Sequence, residues 1–548
     1  MIRQRVLDVP ATARTLGSIA RHKAEKNGDK IYLRFGKREI SYRAFHEITN
    51  RLARGLQQLG VEAGQHVAFM MDNKPEQLLL YFAIGKMGAV SIPVNSAAKG
   101  DLFAYYLNQS DSVVLILDAG LIERYQAIEE QCPNITKVIL LNEAGGAVDL
   151  SIGKDLRAEV YDYQALLDAP ADDLPDDLAR ISDFAIMMYT SGTTGPSKGN
   201  MVPHGRLIGG AIDHVEIFGY QPDDVLYTCL PLFHGNALNT SAIPAFLADA
   251  TFVLSPRFSA SRFWDEIREN GVTAFSLLGA MVNFLWAQPE SPRDKDNKVR
   301  LCMMVPVPDF AREFEKRYGV KVTSVYALSD YGFITFLSPA HPPAKWKSAG
   351  LPATGMTISI RDDEDNPLPP GVPGEICARC DVPWITSLGY YKMPEATVEA
   401  NRNQWFHTGD RGYLDEDGYL YFVDRKKDAI RRRGENISSY EVEQIVLGHA
   451  AVEDAAAYAV RSEMSEDEVM VSVTLKHGAT LDPADLIRYC AKNMAYFMVP
   501  RYVEILPELP RTMTEKVEKY KLKESAQARL NEIWDREAAG IVVNRHTN

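Results

Sequence analysis

Residues 189–199 read Tyr-Thr-Ser-Gly-Thr-Thr-Gly-Pro-Ser-Lys-Gly, a loop in which glycines and hydroxyl side chains surround a single lysine, Lys198. Directly before it, residues 184–188 form the short apolar run Phe-Ala-Ile-Met-Met, as expected for a buried strand. Glycines let such a loop bend tightly and bring backbone N–H groups close to an anion, while the hydroxyls and the lysine add further donors and a positive charge. We therefore predict a strand that leads into a phosphate-binding loop.

Two other interpretations of this loop fit the sequence less well. A Walker A loop requires Gly-x-x-x-x-Gly-Lys-Ser/Thr, but Ser197 precedes Lys198 and Gly199 follows it. A flexible linker is the second alternative, but linkers rarely follow an apolar strand directly. Phosphate binding outside the Walker A pattern is the preferred interpretation.

Length and composition limit the class of protein. At 548 residues the chain is too long for one simple core, so two or more domains are expected. Its 46% hydrophobic and 24% charged residues are typical of a globular protein. A net charge of −13 argues against nonspecific nucleic-acid binding, which needs a basic surface. A nucleotide could still bind in a locally basic cleft.

No targeting, membrane or disulfide signal is apparent, so we expect a cytoplasmic protein without stable membrane insertion. The N-terminus lacks a signal-peptide core, and no run approaches the roughly 18 apolar residues of a membrane helix. Six cysteines in this length do not form a disulfide framework. Cys377 and Cys380 form a lone Cys-x-x-Cys in a strand-like setting, so we predict no metal or redox role for the pair.

The N-terminal part alternates between helix and strand patterns. Ser41 is a helix cap for an amphipathic helix that Gly60 ends, and a second helix runs from Pro75 to Lys86. Apolar strands are expected at 67–71 and 90–94. Strands separated by helices predict α/β layers around a largely parallel sheet.

The remaining segments indicate a second, smaller α+β unit at the C-terminus. Residues 469–475 alternate as a half-buried strand, Asp482-Pro483 begins a helix, and 502–506 form another strand. Residues 143–180 are expected to be a surface excursion, and 362–371 the turn of a long hairpin. The predicted fold is a large N-terminal multi-layer α/β domain followed by a small α+β domain.

The loop at 189–199 resembles the signature of the adenylate-forming superfamily, which includes acyl-CoA synthetases, luciferases and peptide-synthetase adenylation domains. Four further segments match that family's motifs in the same order, at residues 326–330, 405–410, 424–437 and 510–517. The resemblance implies an AMP-binding domain over 1–425, a mobile lid domain over 426–548, and the use of ATP, Mg2+ and coenzyme A.

The family's nucleotide contacts can be carried over to matching positions. The resemblance implies that the loop binds the ATP phosphates through Thr190, Ser191, Gly192, Thr193, Thr194 and Lys198. Tyr326 would pack on adenine, Ser329 would contact a phosphate, and Asp330 would hold Mg2+. This segment departs from the family's Tyr-Gly-x-Thr-Glu at Ala327, Ser329 and Asp330.

Further roles follow from the later motifs. Asp410 would accept hydrogen bonds from both ribose hydroxyls, and Arg425 would contact the ribose or a phosphate. The resemblance makes Lys427 the interdomain hinge and places Gly434 on the tunnel for the pantetheine arm of coenzyme A. Lys516 is the matching C-terminal catalytic lysine.

The acyl substrate is indicated only loosely. His234, in Pro-Leu-Phe-His-Gly at 231–235, resembles the acyl-pocket motif and would border the carboxylate. Val305 and Val307 stand where the family commonly has a Gly-Gly-Ala turn. The segment 257–264 resembles the crotonobetaine/carnitine-CoA ligase branch, which implies a small or branched acid.

Three alternatives stay open from the sequence. The acid could instead be an aryl, alicyclic or steroid-side-chain carboxylate. The departures at Ala327, Asp330 and Glu515 also leave room for a non-catalytic nucleotide-binding protein on the same fold. A homodimer is the assembly that we keep open.

Overall fold

The computed structural model describes residues 9–10, 13–142, 145–175, 178–190, 197–278, 280–308, 310–425, 430–432, 435–437, 439–461, 467–510, 517 and 519–544. The chain divides into two compact units. The first comprises Met1–Ser96, Tyr106–Met188 and Gly199–Asp424. The second comprises Ala97–Tyr105, Tyr189–Lys198 and Arg425–Asn548.

The described residues form fifteen α-helices and twenty-six strands. The helices are α1 Leu16–Asn27, α2 Tyr42–Gln58, α3 Pro75–Lys86, α4 Gly100–Gln109, α5 Ile122–Gln126, α6 Tyr163–Leu166, α7 His204–Phe218, α8 Ile243–Leu247, α9 Phe263–Glu269, α10 Ala280–Trp286, α11 Ala311–Tyr318, α12 Pro394–Ala400, α13 Ser439–Leu447, α14 Pro483–Asn493 and α15 Lys519–Ala528. The strands are β1 Ile31–Phe35, β2 Arg38–Ser41, β3 His66–Met70, β4 Val90–Val94, β5 Ser112–Asp118, β6 Lys137–Leu141, β7 Glu159–Asp162, β8 Phe184–Thr190, β9 Lys198–Pro203, β10 Val225–Thr228, β11 Thr251–Leu254, β12 Ala274–Leu278, β13 Leu301–Val305, β14 Lys321–Leu328, β15 Gly332–Leu337, β16 Leu351–Pro352, β17 Met356–Arg361, β18 Gly374–Cys380, β19 Phe406–Leu414, β20 Leu420–Arg425, β21 Ile430–Arg432, β22 Glu435–Ile437, β23 Val452–Arg461, β24 Asp467–Leu475, β25 Tyr502–Ile505 and β26 Trp534–Asp535.

Local sequence signals explain where several of these elements begin and end. The Ser41 hydroxyl accepts a hydrogen bond from the backbone N–H of Ala44, which caps α2 as predicted. Helix α3 spans the predicted range because Pro75 occupies its first turn, where a missing N–H costs nothing. In α14, Asp482 accepts from the N–H of Ala484, again at the predicted cap.

Two large sheets organise the first of these units. One has the strand order β16-β15-β14-β13-β12-β10-β11-β1-β2, and the other has the order β7-β6-β5-β3-β4-β8-β9. Strands β10, β12, β13 and β14 are parallel neighbours. Their carboxyl ends therefore meet at one edge of the sheet, where open α/β sheets place ligands. The mixed α/β fold class expected from the sequence is confirmed.

The segment 143–180 is not purely the surface excursion that the sequence predicted. Residues 159–162 within it form β7, which pairs in parallel with β6 at the edge of the seven-stranded sheet. The strand is short and carries no fully buried side chain, so its pattern gave no strand signal.

A third sheet of the first unit, in the order β17-β18-β19-β20, is antiparallel where its pairings are described. Strands β17 and β18 form the long hairpin that the sequence predicted around 362–371. This sheet carries Asp410 on β19.

The second unit has its own buried core. Strands β23–β26 form a mixed sheet, and the cores on its two faces include Val471 with Leu486, and Tyr458 with Ala526. In the parts of the chain that the structure describes, every helix is too short or too polar to span a bilayer.

Candidate active site

Tyr326 and Asp410 are brought together by two neighbouring parts of the first unit. Tyr326 lies near the end of β14, and its hydroxyl donates a hydrogen bond to Oδ2 of Asp410 on β19 at 2.8 Å. Asp410 is buried. A buried carboxylate needs such a donor because desolvation otherwise penalises its charge.

The backbone of β19 is shaped so that Asp410 is held in place. The hydroxyl of Thr408 accepts from the N–H of Asp410 at 3.1 Å and donates to the carbonyl of Ile376 on β18 at 2.7 Å. Gly409 between them has φ +71°, a left-handed conformation that favours glycine. The Thr-Gly-Asp triplet therefore forms a local irregularity in the strand that presents the carboxylate.

The turn after β14, which carries Ser329 and Asp330, is fixed through its backbone. The carbonyl of Ser329 accepts from Nδ2 of Asn200 at 2.6 Å and from Nη2 of Arg206 at 2.7 Å. Arg206 also donates to the carbonyl of Leu328 at 3.1 Å. These bonds hold the backbone of the turn and do not involve the side chain of Ser329, which is exposed.

Burial lowers the pKa of Arg206 to about 10, and the nearby Asp330 carboxylate opposes that shift. The guanidinium therefore stays charged at neutral pH. A buried positive charge therefore lies close to the turn that carries Ser329 and Asp330.

Asp330 has a second tie to the fold. Its Oδ2 accepts a hydrogen bond from the hydroxyl of Tyr390 at 2.6 Å. Burial first, and the Asp330 carboxylate second, raise the pKa of Tyr390 well above its ordinary value. The phenol therefore remains a proton donor across the physiological range and holds Oδ2 of Asp330.

His234 lies in the loop that follows β10, at the same edge of the large sheet as the Ser329–Asp330 turn. The hydroxyl of Tyr81 donates to the carbonyl of Leu232 at 3.0 Å, and the side-chain oxygen of Asn73 accepts from the Leu232 N–H at 2.9 Å. A π-helical stretch, Ala237–Ala242, follows this loop. Such irregular turns are frequent at functional sites.

The remaining predicted residues are placed as follows. Thr190 ends β8, Lys198 begins β9, and Arg425 ends β20. Thr190 and Lys198 are half-buried. The predictions for Ser191, Gly192, Thr193, Thr194, Lys427, Gly434 and Lys516 concern positions outside the described residues.

Three residues of this site were not found by sequence reasoning. Tyr390, Arg206 and Asn200 hold the Ser329–Asp330 turn. Arg206 lies in the first turn of α7, three residues after the end of β9. Nothing in its local sequence pattern distinguishes it from a surface arginine. The one available signal is Asn200, a polar residue that precedes the apolar end of β9.

Comparison with known proteins places most of the chain in a family. Residues 20–391 match the family model described as AMP-binding enzyme, and residues 441–516 match the model described as AMP-binding enzyme C-terminal domain.

Individual relatives agree with that match. The chain is 32% identical over 506 residues to the crotonobetaine/carnitine-CoA ligase of Salmonella heidelberg (strain SL476). The alignment covers 90% of this chain and 96% of the relative. The corresponding ligase of Salmonella paratyphi A (strain ATCC 9150 / SARB42) is 33% identical, with 91% and 97% covered.

Solved structures show the same fold. An o-succinylbenzoate CoA synthetase from Bacillus subtilis superposes with a TM-score of 0.79 at 24% identity, covering 92% of this chain and 98% of its own. ATP-bound MatB from Rhodopseudomonas palustris superposes with a TM-score of 0.67 at 25% identity, covering 94% and 99%.

Proposed function

This chain belongs to the AMP-binding enzyme family, and we propose that it is an AMP-forming acyl-CoA synthetase that joins a small or branched carboxylic acid to coenzyme A. The observation that carries the proposal most directly is the buried Asp410 carboxylate, held by the Tyr326 hydroxyl at 2.8 Å. Its match to the family's ribose-binding aspartate supports a nucleotide at this edge of the fold.

The chemistry begins with a carboxylate, which is a poor acyl donor because its leaving group would be oxide. In the first step a carboxylate oxygen attacks the α-phosphorus of ATP, pyrophosphate leaves, and an acyl-adenylate forms. Asp410 would orient the ribose, and Tyr326 would support the adenine with its ring. The loop hydroxyls, Lys198 and Lys516 would stabilise the charge that develops on the phosphates.

In the second step the thiol of coenzyme A attacks the acyl carbon and AMP leaves with the oxygen that came from the acid. The two steps need different groups at one site. We propose that rotation at Lys427 removes Lys516 and brings Gly434 to the thiol tunnel, a conformational step of the kind that gates many enzymes. The division into domains at residues 425 and 426 is part of the same proposal.

The donor set at the end of β14 fits Mg2+. Asp330 offers a hard carboxylate oxygen, the ligand type that Mg2+ prefers, and Tyr390 fixes the other oxygen at 2.6 Å. The cation would supply neutralisation of the phosphate charge. Aspartate is one methylene shorter than the family's glutamate, so its carboxylate would extend less far from the backbone toward the cation.

The acid itself is proposed from two observations. Relatives at 32% and 33% identity are crotonobetaine/carnitine-CoA ligases, which supports an acid of that type. Val305 and Val307 are half-buried at the end of β13 and just beyond it, where glycines would leave more room. Larger aryl, alicyclic or steroid-side-chain acids are the alternatives that these valines disfavour.

A pyrophosphate-release screen over a panel of carboxylates, with and without coenzyme A, tests the proposal. The panel holds crotonobetaine, carnitine, short branched acids, benzoates and a steroid-side-chain acid. We expect release with a small acid, and acyl-CoA together with AMP when coenzyme A is added. Stabilisation by ATP without release for any acid would instead favour a non-catalytic nucleotide-binding protein.

A further inference from the structure

Four side chains with metal-binding atoms converge in the first unit, within the β17–β20 sheet and its adjoining turn. Asp365, Cys377 and His407 each offer one ligand atom, and those three atoms all lie within 4.8 Å of one another. Glu375 adds a carboxylate, with Oε2 at 3.2 Å from Nδ1 of His407. We propose that this cluster binds a divalent cation of the zinc type, separate from the nucleotide site.

The cluster is built by the register of two strands. Cys377 on β18 lies directly opposite His407 on β19, so their side chains share one face of the sheet. The Cys377 Sγ is 3.4 Å from Nδ1 of His407. Asp365 reaches the same place from the turn that joins β17 to β18. The three protein ligands therefore come from three separate segments.

Two atoms in the cluster lack the hydrogen bonds that burial demands. Nε2 of His407 and Oδ1 of Asp365 are both buried and neither has a hydrogen-bond partner. They face each other at 3.4 Å. The His407 side chain is only 3% exposed, so water cannot readily satisfy its nitrogen. A cation between the two atoms would satisfy both at once.

The distance between two of the ligand atoms suits a tetrahedral cation. Zinc bonds of about 2.0–2.3 Å to nitrogen, oxygen and sulfur place neighbouring ligand atoms roughly 3.3–3.8 Å apart. The 3.4 Å between Nε2 and Oδ1 already lies in that range. A mixture of thiolate, imidazole and carboxylate is typical of zinc and unlike the all-oxygen sets of Mg2+ and Ca2+.

The surroundings supply the second layer of contacts that metal sites need. A metal-bound histidine usually has a carboxylate near its other ring nitrogen, and Oε2 of Glu375 lies 3.2 Å from Nδ1 of His407. Oε2 of Glu375 also accepts from Nη2 of Arg402 at 3.1 Å, and its Oε1 accepts from the N–H of Gly409 at 3.2 Å. Through Glu375 the cluster is therefore hydrogen-bonded to the backbone of Gly409, the residue before Asp410.

The competing explanation is an imidazolium that bridges the two carboxylates without any metal. It accounts for His407, Glu375 and Asp365, and it leaves the Cys377 thiol as a hydrogen-bond partner of Nδ1 of His407 and not as a thiolate ligand. The thiol is therefore the residue on which the two explanations differ.

Cobalt(II) titration of the full-length chain, stripped with a chelator, distinguishes them. We expect one equivalent of Co2+ to bind with a near-ultraviolet thiolate charge-transfer band, and zinc to displace it. Cys377→Ser should abolish the band. Cys380→Ser is the matched control: Cys380 lies three residues on, on the other face of β18, and its Sγ contacts the carbonyl of Val382 at 3.8 Å.

The proposal is overturned if the wild-type chain shows no saturable band, if the band survives in Cys377→Ser, or if Cys380→Ser removes it equally. His407→Gln and Asp365→Asn keep the thiol, so they test the site even if Cys377→Ser fails to fold. Each should weaken cobalt binding by about tenfold or more. Unchanged affinity in both variants would also overturn the proposal. Because the readout is metal binding, its result does not depend on the proposed enzyme activity.

Discussion

The hydroxyl of Tyr326 donates to Oδ2 of Asp410 across 2.8 Å, although the two residues are 84 positions apart in the chain. The contact joins strand β14 of the nine-stranded sheet to strand β19 of the β17–β20 sheet, and both sheets belong to the first unit. It makes the tyrosine a support for the proposed ribose-binding carboxylate as well as a surface for the adenine.

Replacing Tyr326 with phenylalanine separates these two roles, because the ring stays and the hydroxyl is lost. A hydrogen bond to a charged group contributes about 1.5–3 kcal/mol, so we expect the Kd for ATP to rise about tenfold or more. Calorimetric titration with ATP measures this. Tyr413→Phe is the control, because Tyr413 lies on β19, the strand that carries Asp410, and its ring stacks on Tyr421 with the ring centroids 5.0 Å apart. Equal ATP affinity in Tyr326→Phe and wild type would contradict the support role.

Asp330→Asn tests the proposed Mg2+ contact. The variant keeps the shape of the side chain but loses its charge, so we expect more Mg2+ to be needed for half-maximal pyrophosphate release. Asp330→Glu should be tolerated, because glutamate is the family residue. The check is a Mg2+ titration at saturating ATP, and an unchanged Mg2+ requirement in the Asn variant would remove Asp330 from the metal contact.

Lys516→Ala addresses the first half-reaction. Loss of a charge that stabilises the transition state should slow adenylate formation by on the order of 10²-fold or more. Thioester formation from a supplied acyl-adenylate should survive, since that step does not need the lysine. Single-turnover assays of the two steps measure the split. An equal loss in both would show that the lysine acts elsewhere or that the variant is misfolded.

The fold should lose stability in mild acid through buried histidines such as His204. Burial lowers the pKa of His204 to about 4, and its Nδ1 accepts from the backbone N–H of Leu16 at 3.2 Å. The folded pKa lies below the unfolded value of about 6.5, so the stabilisation is fully present above pH 6.5 and is lost as the pH falls toward 4. When the pH is lowered from 8 to 5, protonation linked to His204 should reduce the free energy of unfolding by about 2 kcal/mol.

Urea unfolding at several pH values checks this effect. His204→Asn keeps an acceptor but cannot titrate in this range, so its stability should fall less steeply than that of wild type. His477→Asn, at an exposed position, should keep the wild-type slope. A wild-type slope in His204→Asn would refute the assignment.

The sequence predicted those parts of the fold that depend on local signals. Helix α2 begins at its Ser41 cap and α3 at Pro75, because capping and proline geometry act within one turn. Strand β7 was missed, since an edge strand of four residues has no buried face to leave a pattern.

The candidate site divides in the same way. Tyr326 and Asp410 could be named from motif order, but their hydrogen bond depends on how two sheets pack. The support that Tyr390 and Arg206 give to the Asp330 turn likewise arises from tertiary structure. The Cys-x-x-Cys motif gave no metal signal because positions three apart in a strand face opposite sides. The partners of Cys377 are Asp365 and His407, which no local spacing connects to it.

Oxygen transfer from the acid to AMP tests the central claim most directly. The carboxylate of an acid that supports turnover is labelled with oxygen-18, and the products formed with ATP and coenzyme A are analysed by mass spectrometry. An acyl-adenylate requires one labelled oxygen in the phosphate of AMP, because thiol attack breaks the bond between the acyl carbon and that oxygen. Label in orthophosphate, with ADP as the nucleotide product, would contradict the proposed reaction.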